Sequence, residues 1–205
     1  MDIRLIDQQI LQTHTHRHLG FILNDRLNWN DHIRHICTKV NGQIGLLRTL
    51  RHFLSPRLLD KVYKTYILPV LDYGDIIYHP RTTSNIQKLE KLQQHCLQLS
   101  ATNHITATPL EKRRLFDQLV FMFKLTNKQT PQHLQLTRLP TNHELDKRTT
   151  RQQLCVHLPR PRTEAMRQSP LYRAGQWWNT KITEQSRCCK QLTKFKKLIK
   201  VDINY

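Results

Sequence analysis

NDHIRHICTKVNGQIGLLRTLRHFL, from Asn30 to Leu54, decides the fold. Its apolar residues Ile33, Ile36, Cys37, Val40, Ile44, Leu47, Leu50 and Leu54 recur at the three- and four-residue steps of one helix face. Arg34, Lys39, Arg48 and Arg51 fall on the other side. The segment therefore reads as an amphipathic helix with one face for a core and one for solvent. Asn30 or Asp31 is the expected cap, because a short polar side chain there can accept from a free backbone N–H.

Helical periodicity continues downstream. Ser55-Pro56 ends the first helix and starts a second, with Pro56 suited to a first helical position. Leu58, Leu59, Val62, Tyr63, Tyr66 and Ile67 supply its apolar side, and Pro69 predicts a break or kink. Ser84 is the expected cap of a third helix carrying Ile86, Leu89, Leu92, Cys96 and Leu99. A fourth is expected over 110–126, with Leu115, Phe116, Leu119, Val120 and Phe123 turned inward. Four such helices with short connections form an antiparallel cluster. Upstream the period shortens: Ile3 and Leu5, then Leu19, Phe21 and Ile22, read as a small β-hairpin.

After Thr126 the texture changes. Residues 127–163 are polar and punctuated by proline, which reads as a loop-rich stretch. Pattern returns in LYRAGQWWN and LTKFKKLIK. The expected organisation is a β-hairpin over 1–29, a helical domain over 30–126, a loop-rich linker over 127–163 and a basic helical segment over 164–205.

Charge narrows the partner. The 205 residues carry 33 Lys or Arg against 15 Asp or Glu, a net +18. Residues 151–205 alone hold twelve basic and three acidic residues. An excess of this size repels itself unless a polyanion neutralises it, and nucleic acid is the usual one. The five cysteines are odd in number and widely spaced apart from Cys188-Cys189, which does not suit a secreted disulfide framework. No run approaches the roughly 18 apolar residues of a membrane span, and MDIRLIDQQI lacks a signal-peptide core. The expected location is cytoplasmic or nuclear, in a reducing compartment.

The order of these elements resembles a known family. HLGFILNDRLNWNDHI, from His18 to Ile33, is similar to the segment after the palm in LINE-type non-LTR retrotransposon reverse transcriptases, where Tyr-Leu-Gly, Leu-Asp, Leu-x-Trp and His-Ile follow one another. Here His18 stands at the Tyr position and Asn24-Asp25 near Leu-Asp, while Leu27, Trp29, His32 and Ile33 match. IGLLRTLRHFL, from Ile44 to Leu54, resembles the first thumb helix. YKTYILPVLDYGDIIY, from Tyr63 to Tyr78, resembles the Pro-x-Leu-x-Tyr-Gly element, with Tyr78 where Trp is usual. KLEKLQQHCLQL, from Lys88 to Leu99, resembles the Leu-Gln-x-x-Ala-Leu-Arg helix, with Gln98 where Arg is common. PLEKRRLFDQLVFMFKL resembles the post-thumb helix with its basic pair, here Arg113 and Arg114. LPRPRTEAMRQSPLYRAGQWWNT, from Leu158 to Thr180, is similar to the Pro-Arg tract that leads to Trp-Asn, here Trp178 and Asn179. Met166 replaces the common Phe, and Thr180-Lys181 the usual Leu-Pro. FKKLIK resembles the closing basic helix. The likeness covers roughly residues 14–200, and its specificity lies in the order of the elements.

The resemblance implies a mainly α fold: a helical thumb-like bundle with a small N-terminal β-hairpin and a loop-rich, basic C-terminal region. It also implies a chain without the palm. Phosphoryl transfer by a polymerase needs metal ions held by closely placed carboxylates, and the sequence contains no Asp-Asp pair. Asp72 and Asp75 are the nearest acidic cluster, and a solvated loop or helix end is a better reading of them than a metal site. Only 17 residues precede His18, too few for fingers and palm. The chain is expected to be a truncated product, a degenerate insertion or an excised fragment. No catalytic residue, resident metal or cofactor is expected, since Mg²⁺ belongs to the complete parent enzyme.

Other constellations are weaker. His14, His16 and His18 alternate along a strand and could meet one metal, but zinc wants a fourth ligand, and exposed histidines at a strand edge are commoner. His32, His35 and Cys37 on a helix carry the same ambiguity. Cys188-Cys189 lacks the following His and Cys of a zinc knuckle. Trp29 suits the seam between sheet and helix better than base stacking, while Trp177 could face outward.

The expected function is binding of a nucleic-acid duplex through its backbone, without sequence preference. The expected phosphate contacts are Arg34, Lys39, Arg48, Arg51, Lys64, Arg113, Arg114, Arg160, Arg162 and Arg173. The expected core anchors are Leu19, Trp29, Tyr63, Tyr66 and Trp178. The alternatives are a transposon relic with no selected activity, or an accessory chain for an active site supplied by another polypeptide.

Overall fold

The computed structural model describes residues 4–5, 8–9, 13–80, 82–100, 108–146 and 153–205. It is mainly helical, with short antiparallel β pairs at the N-terminal end. β1 (Arg4–Leu5) pairs with β2 (Gln8–Gln9); Ile3 lies outside the described residues. β3 (Thr15–His18) pairs with β4 (Phe21–Asn24), His18 opposite Phe21. The two linking residues, Leu19 and Gly20, have φ of 46° and 83°. That is the backbone of a primed two-residue turn, whose twist matches the strands it joins. Leu19 is therefore not a core residue: the turn holds its side chain outward, 75% exposed.

Asn24 ties the hairpin to the first helix. Its amide donates to Asn28 Oδ1 at 2.7 Å and Asp31 Oδ2 at 2.9 Å, and its Oδ1 accepts from the Asn28 backbone at 3.1 Å. α1 (Asn30–Leu50) follows, buried along Ile33, Ile36, Val40, Ile44 and Leu47. The residue at the cap position is Trp29, in the left-handed region at φ 60° with no side-chain capping bond. The expected cap residues have moved into the first turn, where Asp31 binds Arg34 at 2.9 Å. Trp29 instead packs in the hairpin–helix seam, 6.2 Å from both the Phe21 and Tyr78 rings.

α2 (Pro56–Val62) runs into a five-residue π turn, Tyr63–Ile67, and then α3 (Leu68–Asp72). Leu68 N–H reaches back five residues to the Tyr63 carbonyl. Pro69 has no N–H to give and crowds the preceding turn, and the wider turn accommodates it without a sharp break. Tyr63, Ile67 and Leu71 take the inward stripe at four-residue spacing. Tyr66 falls off that stripe and is 51% exposed, so it is not a core anchor. Only its carbonyl points inward, accepting from Gln43 Nε2 at 3.1 Å.

α4 (Thr83–Leu99) is capped by Thr82, whose hydroxyl accepts from the Asn85 N–H at 3.3 Å. Ser84, the expected cap, lies two residues further on, inside the first turn. α5 (Leu110–Thr126) has the predicted bounds. The first core unites Phe21, the inner faces of α1 to α4, Tyr78 and Leu110.

The second core takes Leu119 to Leu125 from the far half of α5 and packs them on Val156, Ala174, Trp178, Ile182, Phe195 and Ile199. α5 thus serves both cores. The elements beyond it are α6 (Gln132–Gln135), α7 (Asn142–Asp146), α8 (Glu164–Arg167), α9 (Pro170–Lys181), α10 (Glu184–Cys188) and α11 (Leu192–Asp202). The described part of 127–163 is short helices and a bridge between Thr141 and Val156, and it joins this core through Leu139, Val156 and Leu158. Trp178 and Asn179 hold it there. Trp178 Nε1 donates to the Leu154 carbonyl at 3.1 Å, and the Asn179 amide exchanges two 2.9 Å bonds with the Val156 backbone.

Candidate nucleic-acid interface

The helix α1 shows a basic flank where it meets α4. Arg34 and Arg48 lie exposed on α1, and Arg51 lies exposed at its C-terminal cap. Three hollows follow the seam: one lined by Arg34, Asn85 and Lys88, the next by Asn41, Lys88, Lys91 and His95, and the last by Arg48, Arg51 and His52. The first two share Cys37 and Lys88. Arg48 links the others by donating to His95 Nε2 at 3.1 Å. Among the described residues, no Asp or Glu lines any of the three. From Arg34 to Arg51 the helix climbs about 25 Å at about 1.5 Å per residue, the length of about seven base steps at about 3.4 Å each.

Lys88, Lys91 and His95 were missed by the sequence reading. Their spacing along α4 is the signal that identifies them: three, four and seven residues apart, they share one helix face. The surface they complete needs both helices, and only the packing of α1 on α4 brings the two stripes together.

The remaining expected contacts separate by environment. Lys39 is exposed on the other flank of α1, beside Arg17 and His35. Lys64 lies on the π turn and is paired with Asp60 at 2.6 Å. Arg160 and Arg162 are exposed in the stretch before α8, away from the seam in sequence and element.

Arg113, Arg114 and Arg173 are corrections. Arg113 is bound to Asp72 at 2.8 Å with its side chain largely covered. Arg114, 3% exposed, donates to Tyr78 Oη at 2.9 Å and to the Leu71 carbonyl at 3.4 Å. Arg173, 6% exposed, donates to Gln118 Oε1 at 3.1 Å and to the carbonyls of Gln168 and Ile76. All three are covered and bonded inside the protein, and Arg173 alone of them bridges α9 to Gln118 and Ile76. Burial keeps them from a phosphate in solution.

The acidic cluster is part of this joint. Asp72 is held by Arg113. Asp75 is buried, and burial, followed by the nearby Asp117, pushes its carboxyl to about 7. Asp117 is raised as well, chiefly by burial. Of the expected solvated loop or helix end, Asp72 does end α3, but Asp75 is buried, and α5 packs here and adds the third carboxylate. Arg113 occupies Asp72, and among the described residues no group of three or more His, Cys, Asp or Glu is placed to hold a metal ion.

His16 and His18 are exposed on β3, and His14 is exposed just before it. His14 Nδ1 lies 3.2 Å from Asp25. Trp177 is half-buried, with Arg173 over its ring at 5.7 Å and His79 edge-on at 5.8 Å. No helix among the described residues is long and apolar enough to cross a membrane. No family model matches the chain, and neither a known protein of assigned function nor a solved structure matches it significantly.

Proposed function

We propose that this chain is the thumb and following region of a LINE-type reverse transcriptase, and that it binds the backbone of a nucleic-acid duplex along the α1–α4 seam. The observation that carries the reading is the alignment of Arg34, Lys88, Lys91, Arg48 and Arg51 along a groove lined by no acidic side chain among the described residues. The net charge of +18 supplies the long-range attraction. A phosphate-lined ligand fits the groove better than a membrane does. The seam's exposed side is polar and hollow, whereas a membrane-lying helix presents an apolar face.

Backbone contacts position a duplex without reading its sequence. Affinity is therefore expected to be equal for unrelated duplexes and steeply dependent on salt. Fluorescence anisotropy with two labelled duplexes of different sequence tests both points. Strong preference for one sequence, or binding that ignores salt, contradicts the reading.

The same reading assigns no polymerase activity to the chain by itself. Asp72 is held by Arg113, and burial raises the carboxyls of Asp75 and Asp117. Primer extension with this chain alone is expected to give no product.

A further inference from the structure

A cavity of about 300 Å³ lies on the other side of α1, between the β3–β4 hairpin and α3. Ile36, Pro69 and Val70 form its apolar wall, the Tyr73 ring lines it, and Arg17 and Lys39 stand at it as exposed cations. Among the described residues no Asp or Glu lines it.

Two features show that the cavity is built. The Tyr73 ring is 54% exposed but fixed. Its hydroxyl donates to the Leu19 carbonyl at 2.8 Å, and its ring stacks on Phe21 with centroids 5.4 Å apart and 26° between planes. Gly20 makes room: a Cβ there would sit 3.3 Å from Tyr73 Cε1. An aromatic face is thus held open to the cavity at no cost of ordering it on binding.

The second feature is His32, which lines the cavity, is 2% exposed, and has no hydrogen-bond partner on either ring nitrogen. The rings of Phe21, Trp29 and Tyr78 surround it at 5.2, 6.1 and 4.7 Å. A buried polar group without a partner is unfavourable, and this ring borders the cavity. Burial holds the imidazole neutral near pH 7 by lowering it to about 4, so it carries one donor and one acceptor.

We infer that this cavity binds one nucleoside monophosphate unit, its base on the Tyr73 ring, its base edge at His32 and its phosphate at Arg17 and Lys39. A cavity of this size is at the small end of ligand sites. It suits a flat heterocycle, and a base stacks on an aromatic ring whatever its sequence. The unit could be a free nucleotide or an unpaired nucleotide at the end of a strand; the chemistry is the same. The site is separate from the α1–α4 seam and stands without it.

The test is long-range ¹H–¹⁵N spectroscopy of the His32 ring in the full chain. The probes are AMP, inorganic phosphate, a blunt duplex and a duplex with one unpaired nucleotide. AMP or the overhang duplex is expected to move the His32 ring nitrogens, whereas phosphate and the blunt duplex leave them in place. A response to AMP alone identifies a free nucleotide, and a response to the overhang alone identifies a strand end. Tyr73→Ala is expected to weaken the responding probe about tenfold. Arg17→Ala and Lys39→Ala, at exposed positions, should weaken it without disturbing the fold. An unmoved His32 with both AMP at millimolar concentration and the overhang duplex overturns the assignment. So does equal affinity for inorganic phosphate and AMP. Salt-dependent duplex binding that survives Tyr73→Ala leaves the seam intact in either case, so the two readings fail separately.

Discussion

Asp75, buried in the turn after α3, is a neighbour of Asp117 on α5, and burial raises both carboxyls. The contact lies where the first core meets the helix that begins the second. Its neighbours Arg114, Tyr78, Gln118 and Arg173 are themselves buried. The joint between the two cores is thus polar, and its strength depends on protonation.

The sign of that dependence follows from linkage. Asp75 rises to about 7 in the folded chain, whereas an unfolded Asp ionises near about 3.9. The folded state therefore holds a proton that the unfolded state has released, and stability falls as pH rises between about 4 and 7. Asp75→Asn keeps the shape and removes the titration. The difference in melting temperature between Asp75→Asn and the parent is expected to grow in the variant's favour from pH 5 to pH 8. A constant difference would show that Asp75 ionises normally.

Two histidines act in the opposite direction. Burial lowers His32 to about 4 and, with Arg173 nearby, His79 to about 3. A depressed imidazole contributes stability above its unfolded value near about 6.5 and loses it as pH falls toward the folded value. His79→Gln is expected to flatten the loss of stability between pH 6.5 and 4, measured by urea denaturation. An unchanged slope would place the acid sensitivity elsewhere.

The glycines separate into two kinds. Gly74 has φ 68°, and a Cβ there would lie 2.1 Å from the Phe21 ring. Gly74→Ala forces Phe21 out of the first core and is expected to destabilise the chain by about 3 kcal/mol or more. Gly42 and Gly45 lie inside α1 with open space around the added Cβ. Their alanine variants are expected to stabilise by about 0.5–1 kcal/mol each, because alanine costs less backbone entropy in a helix. Thermal melts of the three variants check the contrast, and a stabilising Gly74→Ala would refute the packing of the hairpin on the turn after α3.

Arginine position predicts which substitutions affect folding and which affect binding. Arg114→Ala removes the donor to Tyr78 Oη inside the joint and leaves that hydroxyl only its own bond to the Leu71 carbonyl. It is expected to cost about 2–4 kcal/mol in denaturant titrations. Arg51→Ala, at an exposed position, is expected to leave the melting temperature within about 1–2 °C. The reverse order would invalidate the distinction.

The helices were legible because their apolar residues keep a 3.6-residue period over several turns, as in Ile33 to Leu47. Trp29 and Trp178 were legible as packing residues by size. Leu19 and Tyr66 misled because apolarity alone does not reveal a turn position or a π insertion. Backbone geometry, not hydrophobicity, sends both side chains outward. The basic pair of α5 misled for a different reason. Sequence shows charge but not depth, and Arg113 and Arg114 meet their acceptors 41 and 36 residues away, at Asp72 and Tyr78. Lys88 and Lys91 were overlooked because their significance comes from the α1–α4 contact, which no local pattern encodes.

The seam itself is tested most directly by one comparison: the salt dependence of duplex binding for the parent and for the quadruple variant Arg34→Ala, Arg48→Ala, Lys88→Ala, Lys91→Ala. About six phosphate contacts give the parent a slope near about −5 in log affinity against log salt. The variant is expected to keep its fold by circular dichroism and to lose about three to four units of that slope, close to one per removed contact. A folded variant that binds with the parent's affinity and slope, or a parent that does not bind at about 50 mM salt, would contradict the account.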